Sequence, residues 1–227
     1  MRFYNTAHQY YCGIDLHAKT MYVCIINQDG ETVLHRNMKT EPQRLAAAIE
    51  PYRDDLVISV ECLFTWYWIA DWCATENIPF VLGHALYMKA IHGGKAKNDR
   101  IDSEKIARLL KAGMIPQAYA YPARMRATRD LLRRRIAFAR QRADLIAHIQ
   151  NTVSQYNLPP LGVRLGHKKE RIDIANHFPE PVVRQMVELD LTVIDHLDEQ
   201  LRVLEQDLTL KAKAHDAGAY HLLRTVP

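Results

Sequence analysis

The stretch Tyr10-Tyr11-Cys12-Gly13-Ile14-Asp15-Leu16 sets one carboxylate, Asp15, into an otherwise apolar run. A run of this kind reads as a buried strand. Burying an unpaired carboxylate is costly, so Asp15 is expected at an exposed edge of a sheet or in a pair. A second run, Leu56-Val57-Ile58-Ser59-Val60, ends on Glu61 and repeats the situation. If the two runs are neighbouring parallel strands, Asp15 and Glu61 come close together on one sheet.

Between the two runs, Thr20 to Asn27 is rich in β-branched and apolar residues and predicts a strand. Gln28-Asp29-Gly30 supplies turn chemistry, and Glu31 to Arg36 returns as a third strand. Thr40 is a candidate N-cap for a helix carrying Leu45, Ala48 and Ile49. After Glu61 come a helix with Trp66, Trp68 and Trp72 and a strand from Phe80 to Leu82. A segment containing Gly93-Gly94 then leads into a helix from about Asn98 to Lys111, with Gly113 as its C′ residue. A hairpin-rich meander followed by alternating helices and strands predicts an α/β layout with a mixed sheet.

Asp99 and Asp102 stand three apart at the start of that last helix and project from one face, while Ile106, Leu109 and Leu110 dock it on the sheet. Either acid alone is accounted for by favourable charge at a helix N-terminus. Together, Asp15, Glu61, Asp99 and Asp102 form a hard oxygen-donor set of the kind Mg²⁺ or Mn²⁺ takes. Four converging like charges repel unless a cation neutralises them. His17 reads either as a helper at the metal or as a hydrogen-bonded loop histidine, and the tryptophans either as base-stacking platforms or as helix-to-sheet packing.

After Pro122 the character changes. From Ala127 to Gln155 there is a long helical pattern without Gly or Pro, with a heptad seam at Leu132, Ile136, Ala139, Ala143, Ile146, Gln150 and Val153. Leu158-Pro159-Pro160-Leu161-Gly162 breaks it, and a basic loop with Arg164, Lys168, Lys169 and Arg171 follows. A second helix from about Val182 carries Val187, Ile194, Leu197, Leu201, Leu204 and Leu208. The pair predicts an antiparallel α-helical hairpin or coiled coil, with seams long enough to join a second copy of the chain. The first helix carries an arginine run that includes Arg126, Arg129, Arg133 and Arg134, whereas the second is mainly acidic. The run reads as a solvated face, or as a phosphate-backbone surface, for which guanidinium donors are well suited.

Bulk composition narrows the class. The net charge of +4 over 227 residues does not by itself announce a nucleic-acid binder. Cys12, Cys24, Cys62 and Cys73 lack zinc-ligand spacing and read as small buried apolar residues of a reducing cytoplasm. Residues Met1 to Tyr11 lack the apolar core of a signal peptide, and Glu61 and Asp71 interrupt the apolar stretch Leu56 to Ala74. A soluble, intracellular protein without a membrane span is expected.

Three motifs carry a resemblance: Gly13-Ile14-Asp15-Leu16-His17-Ala18-Lys19, Val60-Glu61 followed by Trp66-Tyr67-Trp68, and Lys97-Asn98-Asp99-Arg100-Ile101-Asp102-Ser103 with Ile106-Ala107-Arg108-Leu109-Leu110. In order and spacing, from Tyr11 to about Leu132, they resemble the DEDD transposases of the IS110 insertion-sequence group. The N-terminal domain of that family is similar to RuvC Holliday-junction resolvases. The resemblance implies a ribonuclease-H-like (RuvC-like) mixed sheet with flanking helices at residues 10–122, a helical hairpin for dimerisation at 123–215, and the start of a C-terminal transposase domain at 216–227. It implies Asp15, Glu61, Asp99 and Asp102 as catalytic and metal-holding residues, with Lys19 and Arg100 near phosphate. It further implies DNA and a structured guide (bridge) RNA as partners, dimers that pair into a tetramer on DNA, and a nucleoid-associated location. The family's nucleophilic serine belongs to the C-terminal domain, so full recombination is not expected of these residues alone, and Ser59, Ser103 and Ser154 are not nominated for that role. Glu61 is followed by Cys62-Leu63-Phe64-Thr65 rather than the small, Gly-containing turn of many relatives.

Two other readings compete. A stand-alone RuvC-like nuclease cutting branched DNA would need only the four carboxylates. A non-catalytic nucleic-acid-binding and dimerisation module would need none of them. An actin-like phosphate loop is disfavoured because His17 stands where such loops usually carry glycine.

Overall fold

The computed structural model describes residues 2–91 and 98–226, and the expected Gly93-Gly94 segment and Lys97 lie outside them. The chain divides into two compact units, residues 1–123 and 124–227.

The first unit is built on a five-stranded sheet of β1 (Tyr10–Leu16), β2 (Thr20–Asn27), β3 (Thr32–Lys39), β4 (Leu56–Glu61) and β5 (Phe80–Gly83). The strand order is β3-β2-β1-β4-β5. The first three strands pair antiparallel, whereas β1, β4 and β5 run parallel, so this is the mixed sheet that the motif order predicts. Alternation divides the residues of β1 and β4 between two cores. Cys12, Ile14, Leu56, Ile58 and Val60 pack on one face with Leu45 and Ile49 of α1 (Pro42–Ile49) and with Ile69 and Cys73 of α2 (Tyr67–Thr75). Trp66 is buried in that core and Trp68 and Trp72 pack against it, so the tryptophans are packing residues. On the other face Tyr11, Val57 and Val81 meet Met88 of α3 (Ala85–Ile91) and Ile106, Leu109 and Leu110 of α4 (Asp99–Lys111). Helices on both faces of a mixed sheet give the ribonuclease-H-like α/β architecture.

Two local expectations change. The cap of α1 is Glu41 rather than Thr40, because Pro42 occupies the first helical turn, where its missing N–H costs nothing. The Thr40 hydroxyl donates instead to the His17 carbonyl at 2.8 Å and ties the two loops together. The short helix α3 and a 3-10 turn at Glu50–Asp55 were not anticipated. Both are too short to show a hydrophobic period.

The second unit contains α5 (Ala123–Gln155), α6 (Pro181–His215) and the short α7 (Ala217–Leu223). The ion pairs Arg135–Glu205, Arg142–Asp198 and His148–Asp190 descend α6 as they ascend α5, so the two helices are antiparallel. Ile149, Val153, Phe178, Val183, Val187 and Ile194 close their shared core. The seam expected on α5 is only partly the one used. Ile146 and Val153 pack inward, but Leu132, Ile136, Ala143 and Gln150 are exposed. The inward stripe includes Leu145, Ile149 and Thr152, one position away. That face carries Arg135 and Arg142, whose charges meet the acids of α6, and this complementarity selects the stripe.

Candidate metal centre

The carboxylates reach one end of the sheet by strand alternation. Because Cys12 and Ile14 face the α2 side, Gly13 and Asp15 face α4. The parallel register Ile14↔Val60 makes Glu61, the last residue of β4, the neighbour of Asp15, and Glu61 also faces α4. Helix α4 crosses directly over Gly13. A β-carbon there would stand 2.3 Å from both the Ala107 nitrogen and the Ser103 carbonyl oxygen, so only glycine admits the helix at this height. One turn before Ser103, the helix begins at Asp99. Asn98 caps it, its side chain accepting from the Arg100 N–H at 3.0 Å.

Asp15, His17 and Asp99 can each offer a ligand atom within 4.8 Å of the other two. His17 Nε2 lies 3.3 Å from an Asp15 oxygen and 3.7 Å from an Asp99 oxygen. Asp15 is buried, whereas the Asp99 side chain is 57% exposed, so the cluster has a protein wall on one side and solvent on the other. Burial raises the Asp15 carboxyl above its ordinary range. His17 pulls it back, while the charges of Asp99 and Asp102 push it further up. Such a group gains from a cation, which offsets both the loss of solvent and the repulsion between like charges.

Of the four expected acids, Asp15 and Asp99 fall within the tight cluster. Asp102 stands beside it, close enough to raise Asp15 electrostatically, with its carboxylate 3.2 Å from the Lys105 ammonium. Glu61 is half-buried at the end of the adjacent strand. His17 fits both readings that the sequence leaves open. It does hydrogen-bond Asp15, yet it also enters the cluster, and its spacing of two from Asp15 was the available signal.

The basic residues differ in availability. Lys19 and Arg100 are exposed, on the turn between β1 and β2 and at the start of α4. Arg133 and Arg134 are exposed and line, with Asp130, Ile136, Ala137 and Arg140, a surface hollow of about 600 Å³. Arg126 is buried, Arg129 lies 3.8 Å from Asp130, and Lys168 is paired with Asp195 at 3.1 Å. Lys169 is exposed.

A family model for the DEDD transposases of the IS110 group, described as a transposase, matches residues 12–158, more than half of the chain. The protein belongs to this transposase family. The matched span contains all four acids, all of the sheet except Tyr10 and Tyr11 of β1, and α5. The transposase matches no curated protein. Among its described residues no helix is long and apolar enough to cross a membrane.

Proposed function

We propose that this chain supplies the metal-dependent nuclease site of a DNA transposase that is steered by a structured guide RNA. The observation that carries the reading is the convergence of Asp15, His17 and Asp99 in a chain of the DEDD family, with Glu61 and Asp102 flanking them. The donor set suits Mg²⁺ or Mn²⁺: it is dominated by carboxylate oxygens, and its buried member is held above its ordinary pKa by burial and by like charges. In this reading Asp15, Glu61, Asp99 and Asp102 hold the ion. When bound, such an ion polarises a phosphodiester and lowers the pKa of an attacking water.

The chain's own residues do the rest. Asp15, fixed on a central strand, provides a rigid anchor. His17 orients the Asp15 and Asp99 carboxylates toward one point. Exposed Lys19 and Arg100 receive the phosphate backbone beside it. In the second unit Arg133, Arg134 and Lys169 are the cations best placed to meet nucleic acid, and Arg126, Arg129 and Lys168 contribute only after leaving their present partners. The exposed apolar positions Leu132 and Ile136 on α5, and Leu189, Val193, Val203 and Leu210 on α6, support self-association into a dimer and, on DNA, a tetramer. The working location is the cytoplasm, on nucleoid DNA.

Calorimetric titration of Mn²⁺ into the protein tests the site. Wild type binds, and Asp15→Asn weakens binding by more than the roughly 10–100-fold typical of changes outside the ligand shell. Wild type that binds no divalent ion removes the metal assignment. Nicking of four-way DNA junctions at catalytic rates would make the chain a stand-alone resolvase. RNA that co-purifies without any metal-dependent cleavage would make it a non-catalytic binding module.

A further inference from the structure

The acidic first turn of α4 is joined to the sheet by a residue that none of the motifs contains. His35 lies on β3, the outer strand of the meander. The registers His35↔Cys24 and Cys24↔Gly13 place it in the same transverse row of the sheet as Gly13, the residue over which α4 crosses. Paired residues share a face, so His35 also lies on the side that carries α4. From there its Nε2 lies 2.9 Å from the Arg100 carbonyl oxygen and 3.3 Å from the Ser103 hydroxyl. A carbonyl oxygen only accepts, so Nε2 carries the hydrogen and donates. Tyr22, which pairs with Asp15 in the strand register, meets the His35 ring edge-on at a centroid distance of 5.2 Å and holds its plane.

Arg100 stands between Asp99 and Asp102, so the carbonyl that His35 grips belongs to the turn that delivers both acids. Helix ends fray, and the first turn lacks intrahelical partners for its N–H groups. The Asn98 cap and the Asp102 N–H bond to the Asn98 carbonyl tie this turn only to itself. The close packing on Gly13 begins at Ser103, after the acids. The His35 bond is a directional link from sheet to turn on the acidic side of that packing point.

We propose that His35 is a positioning residue for the metal centre: by donating to the Arg100 carbonyl it holds the first turn of α4 at the height where Asp99 and Asp102 face Asp15. This rests on the metal reading above. A small displacement of an orienting group is enough to weaken a site markedly, and loss of an outer partner of a metal site typically costs about 10–100-fold in affinity.

The test compares His35→Phe, which keeps a flat ring but cannot donate, with His35→Gln, whose amide can reach the same carbonyl as a donor. Two readouts are taken on the full chain: Mn²⁺ affinity by calorimetry, and metal-free amide exchange of residues 99–103 against the central strands. The expected result is about 10-fold weaker Mn²⁺ binding and faster exchange confined to 99–103 in the Phe variant, with both largely restored in the Gln variant. Wild-type affinity and exchange in the Phe variant overturn the proposal, as does a Gln variant no better than Phe. Faster exchange throughout the sheet also overturns it, because the role would then be general stability. If wild type itself binds no Mn²⁺, the metal reading fails and the proposal with it. Unchanged exchange in the Phe variant beside normal wild-type binding sinks the His35 role alone.

Discussion

Carboxylates gather in two places in this transposase, around Asp15 at the end of the sheet and around Asp195 and Asp198 on α6, and the two clusters treat their charges in opposite ways. At the sheet end, burial raises the Asp15 carboxyl; His17 pulls it back without cancelling the burial, and Asp99 and Asp102 push it up again. On α6, burial likewise pushes Asp195 up, but hydrogen bonds from Arg171 and Lys168 more than reverse this and leave it below its ordinary range. The Arg171 side chain is 3% exposed and donates to Asp195, Asp198 and the Leu165 carbonyl. Arg142 adds a second bond to Asp198 and one to the Gly166 carbonyl. The α6 cluster is therefore electrostatically complete, and its work is to fasten the 163–171 loop to both helices. Among the described residues the sheet-end cluster leaves its buried acid raised rather than lowered, which suits the uptake of a cation. Acidic residues alone do not mark a site; a deficit of protein counter-charge does.

The contrast can be attacked at three points. The largest effect is expected from Gly13→Ala. The new β-carbon meets backbone atoms that cannot rotate away, so α4 must lift, at a cost of about 3 kcal/mol or more, the top of the usual range for overpacking. Denaturant unfolding followed by tryptophan fluorescence reads this in the first unit, since Trp66, Trp68 and Trp72 all lie there. Mn²⁺ binding should fall in parallel, and an Ala variant of wild-type stability would show that α4 does not depend on this contact.

Second, Arg171→Met removes the cation from the complete cluster. The expected loss is about 3 kcal/mol, the low end for a broken buried pair because Asp195 and Asp198 retain some solvent. It should appear in the helical circular dichroism of the hairpin and leave Mn²⁺ affinity unchanged. Weakened metal binding would mean that the two clusters are not independent.

The smallest effect is in the pH dependence of the metal-free protein. Asp195 is depressed in the folded state, so its stabilising contribution is present above the ordinary value of 3.8 and fades as pH falls through the lower folded value. Its partial exposure limits this to under about 1 kcal/mol. Asp15 is raised, so the folded state holds its proton more tightly than the unfolded chain does. Its contribution is therefore lost as pH rises from 3.8 through the raised value. Below that window helicity should weaken first, whereas the fluorescence transition should soften on the way up and recover when Mn²⁺ is added. Parallel titration of both signals would erase the distinction.

Much of the sheet was legible because its signals are local. Asp15 and Glu61 each interrupt a short apolar run at its end, Gly30 and Gly113 sit at positive φ where turns were expected, and Asp99 and Asp102 open a helix with a clear apolar face. The parallel β1–β4 pairing is the arrangement that brings the two run-ending acids together. His17 was legible only as one of two alternatives, from its spacing of two to Asp15, and His35 was not legible. The His35 imidazole announces nothing by sequence spacing, because its partners Arg100 and Ser103 lie on α4, far along the chain. The α5 seam was misplaced by one position for a related reason. Hydrophobic periodicity favours Leu132, Ile136 and Ala143, but the acidic face of α6 draws the stripe that carries Arg135 and Arg142 inward, and the pattern of one helix does not contain its partner's charge.

By itself, then, the sequence determined the order of strands and helices, the carboxylates at their ends and the family to which the chain belongs, because each depends on residues near one another along the chain. Only the tertiary structure decided which acids are held below their ordinary range and which above it. That depends on burial and on partners distant in sequence: α4 over Gly13, His35 on the Arg100 carbonyl, and Arg171 between two aspartates of α6.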